Sequence, residues 1–161
     1  MLKDRAARPS GVPQPVSWTA RVRWQDGLAR ATARGHDVAL LAPLRFTPRG
    51  DAAPSALDLL LCALGGEVLS AFVAAAGRAG LTLDQTEAAV SAHLQNPLLA
   101  AGVIGESGSP ALADAAVTVY ASSPDSRAAL EAALELALSR LPLHATLSKA
   151  CPVRVDLVLV P

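Results

Sequence analysis

The run from Pro54 to Gly80, PSALDLLLCALGGEVLSAFVAAAGRAG, constrains this chain more than any other stretch. It is apolar on nearly every face, so a helix formed from it must be covered nearly all round. Ser55 is a suitable N-cap, and Asp58 three residues later supplies the acidic half of a capping box. Gly80 marks the stop. One acid, Glu67, sits in the middle. A carboxylate in that position must find a partner or give up its charge. The run is long enough to pass for a membrane span. Asp58, Glu67 and Arg78 interrupt it, however, and an acid at its midpoint is costly in lipid. It is read as the core helix of a soluble domain, with no membrane partner.

The rest of the chain is organised around that helix. Residues 1–14 lack periodicity and read as an N-terminal arm, leaving 15–161 as a single domain. From Val16 to Trp24, apolar and polar residues alternate with strand period. Asp26-Gly27 is a hairpin signal, and further strands are expected at about 28–33 and 36–41. Residues 43–54 hold Pro43, Pro48, Gly50 and Pro54 and form a connection. Beyond the helix, 81–94 reads as a strand, 95–112 as a loop rich in Gly, Ser and Pro, and 115–121 as a short strand. Ser123-Pro124-Asp125 is expected to start a second helix, with Pro124 at its first position and Leu130, Leu134, Ala137 and Leu138 on one face. That helix ends before Pro142, a helical turn is expected within 142–148, and a last strand at 153–159. The fold class is α+β, three strands, helix, two strands, helix, strand, with no internal repeat.

Composition narrows the function classes. Hydrophobic residues make up 52% of the chain but aromatics only 3%, so the core is built from small and medium side chains, and a surplus of apolar surface favours an oligomer. Net charge is zero, with 14 basic and 14 acidic residues, and no basic cluster points to nucleic acid. The N-terminus lacks the apolar stretch of a signal peptide. Two cysteines, Cys62 and Cys151, then suggest a reducing, cytoplasmic setting. No histidine has a second ligand at metal spacing, and Gly65-Gly66 lies within a helix rather than in a phosphate loop, so no metal or other cofactor is expected. Gly65-Gly66 suits close approach of another backbone instead.

Three local patterns resemble the OsmC/Ohr family, named for osmotically inducible protein C and the organic hydroperoxide resistance proteins. The first is Pro54-Ser55-Ala56-Leu57-Asp58-Leu59-Leu60-Leu61 leading into Ala63-Leu64-Gly65. The second is Val119-Tyr120-Ala121-Ser122-Ser123-Pro124. The third is Leu141-Pro142-Leu143-His144-Ala145-Thr146-Leu147 followed by Pro152-Val153-Arg154-Val155. The resemblance implies antiparallel sheets around a long buried central helix, an intertwined homodimer whose central helices pack together, and a role linked to organic hydroperoxides and oxidative stress. It also implies a peroxide-attacking cysteine where Glu67 stands and a resolving cysteine where Leu141 stands. Active relatives convert the first thiolate to a sulfenic acid, which the second thiol condenses to a disulfide. A carboxylate cannot take the place of that soft nucleophile, so thiol peroxidase activity is expected to be absent.

The remaining candidates follow from this substitution. In relatives an arginine held by an acid stabilises the thiolate; Asp58 matches that acid, and Arg30, Arg34 and Arg45 are candidates for the arginine. An inert Glu67–Arg ion pair is expected, worth about 3 kcal/mol if broken. The rival role for Glu67, with His144, Asp58 and Arg34, is binding a small apolar ligand with a polar end at the dimer interface. Cys62, about 140° around the helix from Glu67, is expected to be a buried small hydrophobe. The alternative makes it the displaced nucleophile of a thiol peroxidase. A weaker alternative is acid–base chemistry by Glu67 and His144. Trp18 and Trp24 share strand parity and are expected to cover the core or the dimer face.

Overall fold

A computed structural model of the chain describes residues 17–41 and 53–161. The expected arm (1–14) and Arg45 lie outside the described residues. The element order is β1 (Arg21–Gln25), β2 (Leu28–Ala33), β3 (His36–Leu40), α1 (Ala56–Arg78), β4 (Gln85–Leu94), α2 (Pro97–Ala100), β5 (Leu112–Ser122), α3 (Arg127–Leu138), α4 (Pro142–Leu147) and β6 (Val153–Leu159). This is the expected α+β plan, in two three-stranded sheets ordered β1-β2-β3 and β4-β5-β6, antiparallel as expected except that β6, reached through α3 and α4, pairs with β5 in parallel.

The first sheet is a meander of two tight hairpins. Asp26-Gly27 and Arg34-Gly35 both take positive φ at both central residues, the geometry that matches strand twist in two-residue loops. Arg34 is therefore a turn residue. β1 starts at Arg21, so Trp18 precedes it and the strand is shorter than the alternation from Val16 suggests.

The rest of the chain forms a packed body. Helix α1 begins as its sequence dictates. The Ser55 hydroxyl accepts from the Asp58 N–H, and Asp58 Oδ2 accepts from the Ser55 N–H at 2.8 Å. The helix ends at Arg78, Ala79 caps it, and Gly80 follows at φ 74°. Leu64, Val68, Phe72, Ala75 and Ala76 form its fully buried face. They share one core with Ala115, Val117, Val119 and Ala121 of β5 and with Leu130, Ala133, Leu134 and Ala137 of α3. Burying Phe72 alone is worth about 1.5–3 kcal/mol. This packing makes α1 a core helix despite its bilayer-spanning length. Gly65 is needed where it stands: a Cβ there would lie 2.7 Å from Val90 Cγ2 of β4. Within the protomer the close approach at this pair is to a strand side chain and involves Gly65; Gly66 has nothing within 4 Å.

Several boundaries differ from expectation for local reasons. β4 starts at Gln85, because Thr82 is held by the Asp125 carboxylate and the Ser123 hydroxyl instead of by a strand. α3 starts at Arg127 with Ser126 as its cap, so Pro124 precedes the helix. The 95–111 connection is built, not featureless: Asn96 caps the short α2 and its side-chain amide holds Glu106 and the Ser107 carbonyl.

Candidate functional site

Helix α4 starts with a deficit. Its N-cap, Leu141, has no side-chain acceptor, and Pro142 at the first position has no N–H. The first free donors are the backbone N–H groups of Leu143 and His144. Both point at one carboxylate from α1: Leu143 N–H donates to Glu67 Oε1 at 3.0 Å and His144 N–H to Glu67 Oε2 at 2.9 Å. An acid drawn from 76 positions earlier thus does the work of the missing cap. Each oxygen takes one charge-assisted bond, and its negative charge faces the positive end of the helix dipole.

This answers how a carboxylate is tolerated in an apolar helix. Glu67 is half-buried and its charge is stabilised by backbone donors. Among the described residues no arginine forms an ion pair with it. Within the protomer neither Arg30 nor Arg34 pairs with Glu67, which forms a bidentate helix cap instead; Arg45, the third candidate, lies outside the described residues. Leu141 is buried beside this junction and His144 half-buried within it. The structure brings Glu67, Leu141 and His144 together, as expected, but leaves the other two candidates elsewhere. Asp58 is exposed one end of the helix away, with Oδ2 held by the Ser55 N–H and hydroxyl. Arg34 sits at the β2–β3 turn, lining a cavity of about 310 Å³ with Ser17, Trp18 and Thr19.

Sequence reasoning missed the backbone donors. Its clues were present but separate: an acid without a partner in one helix, and a Leu-Pro helix start without a cap in another. Nothing local says that they meet.

The cysteines also differ from expectation. Cys151 is buried, whereas Cys62 is exposed, so the reading of Cys62 as a buried hydrophobe is wrong for the single protomer. Cys62 lines an apolar cleft of about 310 Å³ with Leu61, Gly65, Gly66, Leu69, Ala88 and Val90, on the far side of α1 from Glu67. Trp18 and Trp24 are exposed as well. His93 Nδ1 meets Asp114 Oδ1 at 2.7 Å across the β4–β5 ladder, on the exposed face of the second sheet. Among the described residues no three metal-binding side chains gather.

Comparison with known proteins adds the following. The sequence pattern of the family described as OsmC-like protein matches residues 49–156. No curated protein matches the chain by sequence. Solved structures match over nearly its whole length. An OsmC-like protein from Mycoplasma pneumoniae superposes with a TM-score of 0.72 at 19% identity, covering 91% of this chain and 99% of its own. The organic hydroperoxide resistance protein OsmC from Legionella pneumophila gives 0.64 at 14% identity, covering 88% and 96%. The organic hydroperoxide resistance protein OhrB of Bacillus subtilis gives 0.58 at 14%, covering 89% and 98%. At these identities the likeness is one of fold.

Proposed function

Since the chain belongs to the OsmC-like family, related to the organic hydroperoxide resistance proteins, we propose that it is a non-peroxidatic member. In this reading it works as a homodimer that binds a small, largely apolar molecule. One observation carries the reading: the side chain at the position where relatives are expected to hold the attacking thiol is a carboxylate, and both of its oxygens are engaged by the Leu143 and His144 N–H groups. A carboxylate has no sulfur to oxidise, and an acid so held is a support for α4 rather than a free base. Leu141 offers no thiol to resolve a sulfenic acid.

The apolar cleft beside Gly65 and Gly66 supports the binding role. Its volume, about 310 Å³, lies at the small end of ligand sites, and Cys62 Sγ is its only side-chain heteroatom. Dimer formation is supported by α1 itself. It is apolar all round, yet only 33% of its most apolar stretch is buried within one protomer. The exposed side carries Ala63, Gly66, Val73, Ala74 and Gly77, small enough for two helices to approach closely.

The exposure of Cys62 favours a second reading, a thiol peroxidase. There the Cys62 thiolate would attack the hydroperoxide, forming a sulfenic acid and releasing the alcohol, and an external dithiol would reduce it back with loss of water. Organic hydroperoxide consumption with a dithiol reductant separates the two. The proposal expects the rate of the protein-free control. Turnover abolished by Cys62→Ser overturns it in favour of the second reading. The double variant Glu67→Cys/Leu141→Cys is expected to gain peroxidase activity, which shows that the assay and the scaffold are competent.

A further inference from the structure

Strand β4 serves both faces of the second sheet. Ala88 and Val90 line the Cys62 cleft on one side. Gln85, Glu87 and Ala89 alternate with them and lie on the opposite face, as does Tyr120 of β5, the cross-strand partner of Glu87. There Gln85, Thr86, Glu87, Ala89, Tyr120 and Val160 line an open cleft of about 730 Å³, within the range of small-molecule sites. Val160 is held at the end of β6 by its own N–H, which donates to the Ala121 carbonyl at 2.9 Å.

The acids on this face differ in what they meet. Asp114 is engaged by His93 at 2.7 Å and Asp156 by Arg154 at 2.8 Å. Glu87 forms no ion pair among the described residues, and its neighbour across the ladder is an aromatic ring rather than a base. Carboxylate and ring attract the same kind of ligand. The carboxylate pairs with a cation, and the negative face of the ring draws one as well. Gln85, two positions away on the same face, adds an amide oxygen that can accept from an N–H. Ala89 lies diagonal to Tyr120, and its methyl leaves space beside the ring that a longer side chain would fill. The wider field acts in the same direction, because residues 53–161 carry ten acids against five bases.

We propose that this cleft binds a primary amine with a small apolar body. The ammonium sits at Glu87 and Gln85, and the apolar part lies against Tyr120, Ala89 and Val160. A primary ammonium suits the site better than a quaternary one, because its N–H groups donate to both side-chain oxygens. The site is separate from the cleft beside Gly65 and depends neither on the homodimer nor on the loss of peroxidase activity. Glu87 is exposed, so water screens the pair, and a dissociation constant of about 1 mM is expected.

Amide chemical shifts of the full chain, followed by heteronuclear NMR, test this with 2-phenylethylammonium as the probe. Phenylacetate and 2-phenylethanol, at matched ionic strength, are its anionic and neutral counterparts. The expected result is saturable shifts at Glu87 and Tyr120 with the ammonium, binding at least ~3-fold weaker for the alcohol, and none for the carboxylate. Glu87→Gln is expected to weaken the ammonium roughly threefold or more, and Ala89→Leu to block it by filling the cleft. Both positions are exposed, so both variants should keep the wild-type fold, which the dispersion of the same spectra checks. No saturable shift with the ammonium overturns the site. Equally tight binding of phenylacetate, shifts confined to residues 61–69 of the other cleft, or undiminished binding in Glu87→Gln overturns it too. Should Ala89→Leu fail to fold, Glu87→Gln and the comparison of the three probes on the wild type decide.

Discussion

The body and the N-terminal sheet follow the same rules of strand and helix formation but differ in what they cover. In the body, the core-facing apolar stripes meet one another: Leu64, Val68 and Phe72 of α1 share one core with Val117 and Val119 of β5 and Leu130 of α3. In the sheet, the alternation is equally clean and the turns equally well formed, yet Val22 and Trp24 face water. An amphipathic pattern therefore specifies a face to be covered without saying which molecule covers it. The core side of the body is covered by its own chain; Val22 and Trp24 of the sheet are not.

Substitutions can break or sharpen that contrast. The largest effect is expected for Phe72→Ala, which empties the centre of the body and should lower unfolding free energy by about 3–5 kcal/mol in a denaturant titration. Gly65→Ala forces a methyl against Val90 and should cost about 1–3 kcal/mol, less the small gain in helix propensity. Glu67→Ala removes a two-bond helix cap and should cost about 1–2 kcal/mol, less than the 3 kcal/mol expected of a broken buried ion pair. Trp24→Ser should change the body's unfolding by no more than about 0.5 kcal/mol, because its ring touches none of the body's core. A loss of several kcal/mol there, at a protein concentration where the chain is monomeric, means that the sheet belongs to its own body after all.

The same contrast explains what was legible in the sequence. The Ser55/Asp58 box and the Gly80 stop of α1 are local signals, and the structure reproduces them. So is Asp26-Gly27. The start of α3 was placed too early because Pro124 is also a good turn residue, and Asp125 is drawn away to hold Thr82. The site was half legible. Glu67 stood out as an acid that needed a partner, but an arginine was the expected one, since charge pairs are the familiar solution. Its partners among the described residues are backbone amides, which carry no residue identity and leave no trace in sequence. The exposure of Cys62 was likewise hidden, because a helix apolar all round does not reveal which side its own chain will cover.

Everything about the site turns on Glu67 acting as the cap of α4, and amide hydrogen exchange at Leu143 and His144 reads that directly. In the wild type, both amides should exchange at least ~10-fold more slowly than in Glu67→Ala, corresponding to about 1.4 kcal/mol of local protection lost with the carboxylate, while Val68 and Phe72 in the core of α1 stay protected in both. Equal exchange at Leu143 and His144 in the two proteins contradicts it, and with it the claim that this carboxylate serves as a structural support.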